Sequence, residues 1–157
     1  MTRRKQASRK TLVADARHVL QHCAGMNARL VARQISRFIE ARIEASGLGV
    51  AQFGLMAHVA ATEDDTIGAL AQRSGLDQST LSRNLHALER EGLVEIAVVE
   101  KDLRQRAVWL TEAGARRLEA AIPLWRRAHA ELATAMAPAD LRKLAAIARA
   151  LSYVAAD

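Results

Sequence analysis

Several things are scarce in this 157-residue chain, and each scarcity closes off a class of protein. A single cysteine, Cys23, rules out an intrachain disulfide framework. Aromatic residues make up only 3% of the sequence. A core with so few rings has to be built by helices that pack small side chains, not by a large sheet. No apolar run approaches the roughly 18 residues of a membrane span. The basic N-terminus leads into no signal-like apolar region, so the expectation is a soluble, cytoplasmic protein with no membrane partner. Low-complexity segments and internal repeats are missing as well. The five histidines (18, 22, 58, 86 and 129) are scattered, no glycine-rich phosphate loop follows a strand, and no pair of acids has a distinctive spacing. The sequence therefore reads as a non-enzyme with no cofactor and no metal.

What is present is positive charge and helix-forming sequence. The formal charge of +6 favours an anionic partner without naming it. Residues 1–10 carry Arg3, Arg4, Lys5, Arg9 and Lys10 with no acid, the pattern of a basic, flexible, solvated tail. Residues 11–157 read as one domain. A long helix is expected over 11–45, interrupted near Gly25, with Leu12, Val19, Cys23, Met26, Leu30, Phe38 and Ile39 among its apolar positions. So long a helix exceeds what a small domain can cover, so it is expected to pack on a second chain. A helix of about eleven residues should follow from Val50, and another over Ile67–Ser74 capped by Thr66.

The most informative stretch runs from Leu70 to Leu81. Ala71 permits a close helix crossing, Gly75 can take the positive φ of a tight turn, and Leu81 anchors the next helix. Asp77 is a good N-cap for a helix from Gln78 to about Glu91, stopped by Gly92. At about 100° per residue, Leu85 and Leu88 share a face with Leu81. Ser79, Arg83, His86 and Arg90 lie opposite, with Thr80 and Ser82 on the flanks. Short hydroxyls near the start and arginines further along suit base edges and phosphates respectively. Next come two β-branched runs, Leu93–Val99 and Ala107–Leu110, around a charged tip Glu100–Arg106. Thr111 caps a long helix in which Pro123 predicts a kink or break. A final helix opens at Pro138, with Leu141, Leu144, Ile147 and Leu151 spaced by three and four. The fold class is thus mainly α with a small β-hairpin wing. It is a winged helix-turn-helix over 50–111, between long N- and C-terminal helices over 11–45 and 112–157.

In its ordered set of motifs the sequence resembles the MarR (multiple antibiotic resistance regulator) family. The residues concerned are Gly47-Leu48 with Gln52-Phe53, Leu70-Ala71, Ser79-Thr80-Leu81-Ser82-Arg83, Leu88-Glu89 with Gly92-Leu93-Val94, Asp102-Leu103-Arg104, and Leu110-Thr111 with Gly114. The resemblance implies a homodimer joined by its terminal helices on a pseudo-palindromic operator in double-stranded DNA. It also implies a transcriptional repressor released by a small aromatic or amphipathic effector. The helix carrying Gln78, Ser79, Thr80, Ser82, Arg83, His86 and Arg90 would enter a major groove. In the wing, Asp102 would orient Arg104 into the adjacent minor groove, with Lys101, Gln105 and Arg106 beside it, and a narrow minor groove attracts a guanidinium. Phe38, Met56, His58 and Trp125 are the candidate effector-lining residues. The sequence departs from the family in two places: Gly49 stands where Thr or Ser usually caps a helix, and Val99-Glu100 replaces a proline-containing approach to the wing.

Two further readings attach to the first helix. Cys23 is a candidate redox sensor, because the family includes peroxide-responsive regulators with a cysteine in this region. The alternative is a small apolar side chain at the dimer seam. His18 and His22, four residues apart, can face one ion, but Cys23 points about 100° away from His22 and makes a poor third ligand. One count argues for another class altogether. From Asp77 to Arg106 there are five basic residues and six acids. A near-neutral element of this kind suits a winged-helix protein-interaction module that does not bind specific DNA sequences.

Overall fold

A computed structural model describes residues 9–61, 66–99 and 102–154, with side chains over 11–61, 66–98 and 106–151. The basic tail before Arg9, the acidic loop Glu63–Asp65 and the tip residues Glu100 and Lys101 lie outside the described residues. The chain divides into two units, residues 1–38 and 39–157.

The first unit is helical. Helix α1 spans Arg9–His22 and α2 spans Ala24–Ile43, its last turn belonging to the second unit. The interruption falls at Cys23, two residues from Gly25, near which the sequence places it. The ladder persists across it through Cys23 N–H to the Val19 carbonyl (2.9 Å) and Asn27 N–H to the Cys23 carbonyl (3.0 Å). Asn27 Nδ2 donates to the Gln21 carbonyl (3.2 Å), the acceptor that an unbroken helix would offer to the amide of Gly25. Leu12, Val19, Leu20, Met26 and Leu30 are all exposed.

In the second unit α2 passes into a single 3₁₀ turn, Glu44–Ser46, instead of continuing to Ala45. Gly47 ends it at φ 72°, and the buried Ser46 hydroxyl donates to the Ile43 carbonyl (2.6 Å). Helix α3 (Val50–Ala60) buries Phe53, Leu55, Met56 and Val59. Its start lacks a side-chain cap, because Gly49 has none to give. The Glu40 carboxylate accepts from Val50 N–H (2.8 Å), and Gln52 Oε1 accepts from Gly49 N–H (3.0 Å). Helix α4 (Ile67–Ser74) is capped by Thr66, whose hydroxyl accepts from Ala69 N–H (3.3 Å), and Gly75 closes it at φ 64°. Helix α5 runs Gln78–Arg90.

Strands β1 (Val94–Val99) and β2 (Asp102–Leu110) form an antiparallel pair in register Val94↔Leu110, Ile96↔Val108 and Val98↔Arg106. The register slips between Val98 and Val99, where Val99 faces Asp102. The charged run Asp102–Arg106 thus belongs to the strand and not to a loose tip. Pairing overrides its low strand propensity, and the surplus residues are absorbed as an irregularity. Thr66 bridges Ala107 on the other edge of β2, so the wing is tied directly to the start of α4.

Helix α6 spans Glu112–Ala135 without a break. Of the kink or break expected at Pro123, the break does not occur. Glu119, whose carbonyl loses its partner there, is exposed, as is Pro123 itself. Water can therefore satisfy the orphaned acceptor. Gly114, Leu118, Ala121, Ala128 and Leu132 form the buried stripe of α6. Arg42 Nε donates to Glu131 (2.6 Å), pinning the last turn of α2 to α6. Helix α7 (Pro138–Val154) ends the described chain. No helix among the described residues is long and apolar enough to cross a membrane.

Candidate nucleic-acid interface

The face that α5 presents follows from how its other face is held. Leu81, Leu85 and Leu88 are 0%, 1% and 0% exposed, locked into the core with Leu70, Leu93 and Val108. Gln78, Ser79, Ser82, Arg83, His86 and Arg90 are therefore all exposed, and Thr80 is half-buried at the flank. The wing is registered to this helix by a short chain of bonds. Gly92 takes φ 68°, Thr111 donates its hydroxyl to the Gly92 carbonyl (2.7 Å), and Thr111 N–H donates to the Leu93 carbonyl (3.1 Å). Gly114 sits so close that a Cβ there would lie 1.9 Å from the Leu93 carbonyl oxygen. That contact makes glycine obligatory at this position.

At the start of α5 the side chains form one network. Asp77 Oδ1 accepts from the Ser79 hydroxyl (2.6 Å) and from Thr80 N–H (2.8 Å), and Oδ2 accepts from the Thr80 hydroxyl (2.8 Å). Hydrogen bonds from Ser79 and Thr80 stabilise the anion and hold the carboxyl well below the usual carboxylate range. Arg83 folds back on the same turn, with Nε donating to the Ser79 carbonyl and Nη2 to the Thr80 hydroxyl, each at 3.3 Å. His86 Nδ1 lies 3.2 Å from Glu89 Oε2. Beyond α5, Arg106 is exposed on the wing, whereas Lys101 and the side chains of Asp102, Arg104 and Gln105 lie outside the described residues.

Four of the six acids that make the element nearly neutral are committed locally. Asp77 is a cap, Glu89 faces His86, Glu91 accepts from Gln52 Nε2 (3.1 Å), and Glu95 accepts from Trp109 Nε1 (3.0 Å) across the hairpin. These contacts direct much of the negative charge toward protein donors. Between the start of α4, α5 and the hairpin runs an open cleft of about 900 Å³, bordered by Thr66, Gln78, Ser82, His86, Glu89 and Arg106. Sequence reasoning gave no sign of it, because its walls come from three elements that no linear spacing relates.

This arrangement is matched by known proteins. A model of the MarR family matches residues 46–105. The M. tuberculosis transcriptional regulator MosR, crystallised in complex with DNA, is 32% identical, with a TM-score of 0.77 over 85% of this chain and 98% of that one. The chain belongs to the MarR family. Two solved structures of lower identity show the same fold. An E. coli MarR variant complexed with operator DNA is 22% identical, with a TM-score of 0.74 over 85% of this chain and 96% of that one. PcaV from Streptomyces coelicolor, in complex with its natural ligand, is 19% identical, with a TM-score of 0.75 over 87% of this chain and 96% of that one. No curated protein matches the sequence significantly.

Within this MarR-family fold the candidate effector-lining residues lie on α2, α3 and α6. Met56 is fully buried, and His58 and Trp125 are half-buried. Trp125 stacks on Phe53 (ring centroids 6.2 Å apart) and meets His129 in a tilted contact (4.1 Å). His129 was missed at the sequence level, although its position four residues after Trp125 on one helix is a usable signal. Phe38 is half-buried and belongs to the first unit, as do Cys23, half-buried with a free thiol, and the His18–His22 pair. Those two imidazoles stack at 4.1 Å, and His22 Nδ1 lies 2.9 Å from the His18 carbonyl. Among the described residues no three His, Cys, Asp or Glu side chains gather into a metal cage.

Proposed function

We propose that this MarR-family protein is a sequence-specific transcriptional regulator that binds a pseudo-palindromic operator as a homodimer, represses a nearby operon, and is released by a small aromatic or amphipathic effector. The observation that carries the reading is the outward face of α5. Ser79, Arg83, His86 and Arg90 stand exposed on a helix whose opposite face is clamped by Leu81, Leu85 and Leu88, beside a wing tied to it through Thr111 and Gly92. Such a helix fits a major groove, and hydroxyls with guanidinium groups suit base edges and phosphates. Arg104 is assigned to the minor groove, oriented by Asp102, with Lys101, Gln105 and Arg106 on the neighbouring backbone. The likeness to MosR crystallised with DNA supports this reading.

A second copy of the chain is the proposed cover for the apolar positions exposed on the terminal helices: Leu12 and Val19 on α1, Met26 and Leu30 on α2, and Leu144, Ile147 and Leu151 on α7. Two-fold symmetry then places the recognition helices about one helical turn of DNA apart. An effector favouring a dimer with a different helix spacing weakens binding by the difference in its affinity for the two forms. The test is a gel shift on DNA upstream of the protein's own gene. Arg104→Ala is expected to weaken operator binding about tenfold or more. Equal binding by wild type and variant, with no sequence preference in either, would sink the proposal.

A further inference from the structure

We propose that Asp77 fixes the hydrogen-bond polarity of Ser79, so that the recognition helix reads an exocyclic amine of adenine or cytosine in the major groove and not a carbonyl oxygen of guanine or thymine. The assignment rests on the regulator reading above and specifies what α5 recognises.

The argument is one of proton inventory. A hydroxyl has a single proton to donate and lone pairs to accept with, while an ionised carboxylate only accepts. Ser79 Oγ lies 2.6 Å from Asp77 Oδ1, so its proton is committed to that carboxylate. The carboxylate stays ionised because Ser79 and Thr80 both stabilise the anion. Ser79 is exposed on the outward face, and it faces the groove as an acceptor. Thr80 behaves differently. Its hydroxyl donates to Asp77 Oδ2 (2.8 Å) and also accepts from Arg83 Nη2 (3.3 Å), so it is engaged in both senses. Thr80 thus positions Arg83, and Ser79 is left as the short side chain with open lone pairs.

The major groove offers donors only at adenine N6 and cytosine N4, whereas guanine O6, thymine O4 and the purine N7 atoms accept. For Ser79 to read a carbonyl it would have to rotate its proton away from Asp77. That exchanges a short charge-assisted bond for a neutral one about half as strong. Asp77 is in this sense a positioning residue: it touches no base, yet it determines which bases Ser79 can satisfy.

The experiment begins with fragments selected by the purified full-length protein. In the preferred duplex, exocyclic groups are deleted one at a time. Adenine is replaced by unsubstituted purine, cytosine by 2-pyrimidinone, guanine by 2-aminopurine and thymine by 5-methyl-2-pyrimidinone. Each duplex is titrated with wild type, Ser79→Ala and Asp77→Asn, so that changes in DNA stability cancel in the cycle. Wild type is expected to lose about tenfold in affinity when one amine per half-site is removed, and Ser79→Ala to show no loss at that position. Asp77→Asn keeps a good N-cap, a point checked by thermal denaturation. Its sensitivity to the amine is expected to fall at least threefold, since an amide has a donor as well as an acceptor to offer the two hydroxyls. Coupling of Ser79 to a carbonyl deletion, coupling at no position, or full amine sensitivity in Asp77→Asn overturns the assignment and leaves the regulator reading standing. Selection that returns no preferred sequence overturns both.

Discussion

Helices α5 and α7 carry the same apolar spacing and meet opposite fates. Leu81, Leu85 and Leu88 on α5 are at most 1% exposed, whereas Leu144, Ile147 and Leu151 on α7 are 40%, 55% and 62% exposed. Both stripes follow the period of three and four that marks one helical face. Periodicity therefore reports that a face is built for burial but not which chain buries it. The stripe of α5 is covered within its own chain, whereas that of α7 is exposed, and a second copy is its proposed cover.

The sharpest way to break this contrast is to damage the self-sufficient side. Leu85→Ala should destabilise the fold by about 3.5 kcal/mol, since an enclosed leucine leaves a cavity that its neighbours cannot fill. Chemical denaturation checks this, and a loss below 1 kcal/mol would mean that the α5 face is less enclosed than it stands here. Gly114→Ala tests the same region from its tightest contact. The added Cβ meets backbone, the Leu93 carbonyl oxygen at 1.9 Å, and no rotamer change can relieve that. The expected cost is about 3 kcal/mol, read as a lowered thermal midpoint. An unchanged midpoint would show that α6 can shift away from the hairpin freely.

The exposed side, where a second copy is proposed to pack, is tested by charge. Ile147→Asp places a carboxylate on the exposed stripe of α7 and should raise the dimer dissociation constant roughly a hundredfold, about 2.7 kcal/mol. Light scattering across a dilution series measures it. The isolated winged-helix contacts predict that the monomer so produced keeps its helical circular dichroism. An equally tight dimer would remove α7 from the interface, and the difference between the two stripes would need another cause.

How much of this was legible in the sequence depends on whether the determinant is local. The caps Thr66, Asp77 and Thr111 and the stops Gly75 and Gly92 were all legible, because each acts within a turn of its own position. The outward set Ser79, Arg83, His86 and Arg90 was legible for the same reason, through rotation about one helix axis. Features made by distant segments were not. The strand character of Asp102–Arg106 depends on pairing with β1, and continuity through Pro123 depends on that side of α6 facing water. The cleft beside α5 needs three elements at once. Ser79 was legible as an outward-facing residue, but the polarity proposed for it is set by a side chain that the sequence showed only as a cap.

Helix α2 contains both behaviours within one element, which permits the finest test. Its earlier turns expose Met26 and Leu30, while its last turn buries Ile39 and Ile43 and supplies Glu40 to the start of α3. A cap delivered from ten residues away replaces the local serine or threonine that Gly49 cannot provide. Glu40→Ala should therefore cost about 1 kcal/mol, the usual value of a lost N-cap. The partner substitution decides whether Glu40 acts as a cap or merely as a surface acid. A Cβ at position 49 would lie 3.1 Å from Glu40 Oε1, so Gly49→Ser in the native background gains a hydroxyl but crowds the carboxylate, and its net effect should be close to zero. With Glu40→Ala already in place the crowding is gone, and the same serine should recover most of the lost stability. The coupling between the two changes, measured by denaturation of the four proteins, should then be about 1 kcal/mol. Additive effects would mean that the bond from Val50 to Glu40 contributes nothing to stability, leaving the last turn of α2 with its buried Ile39 and Ile43 and with the Arg42–Glu131 pair to α6.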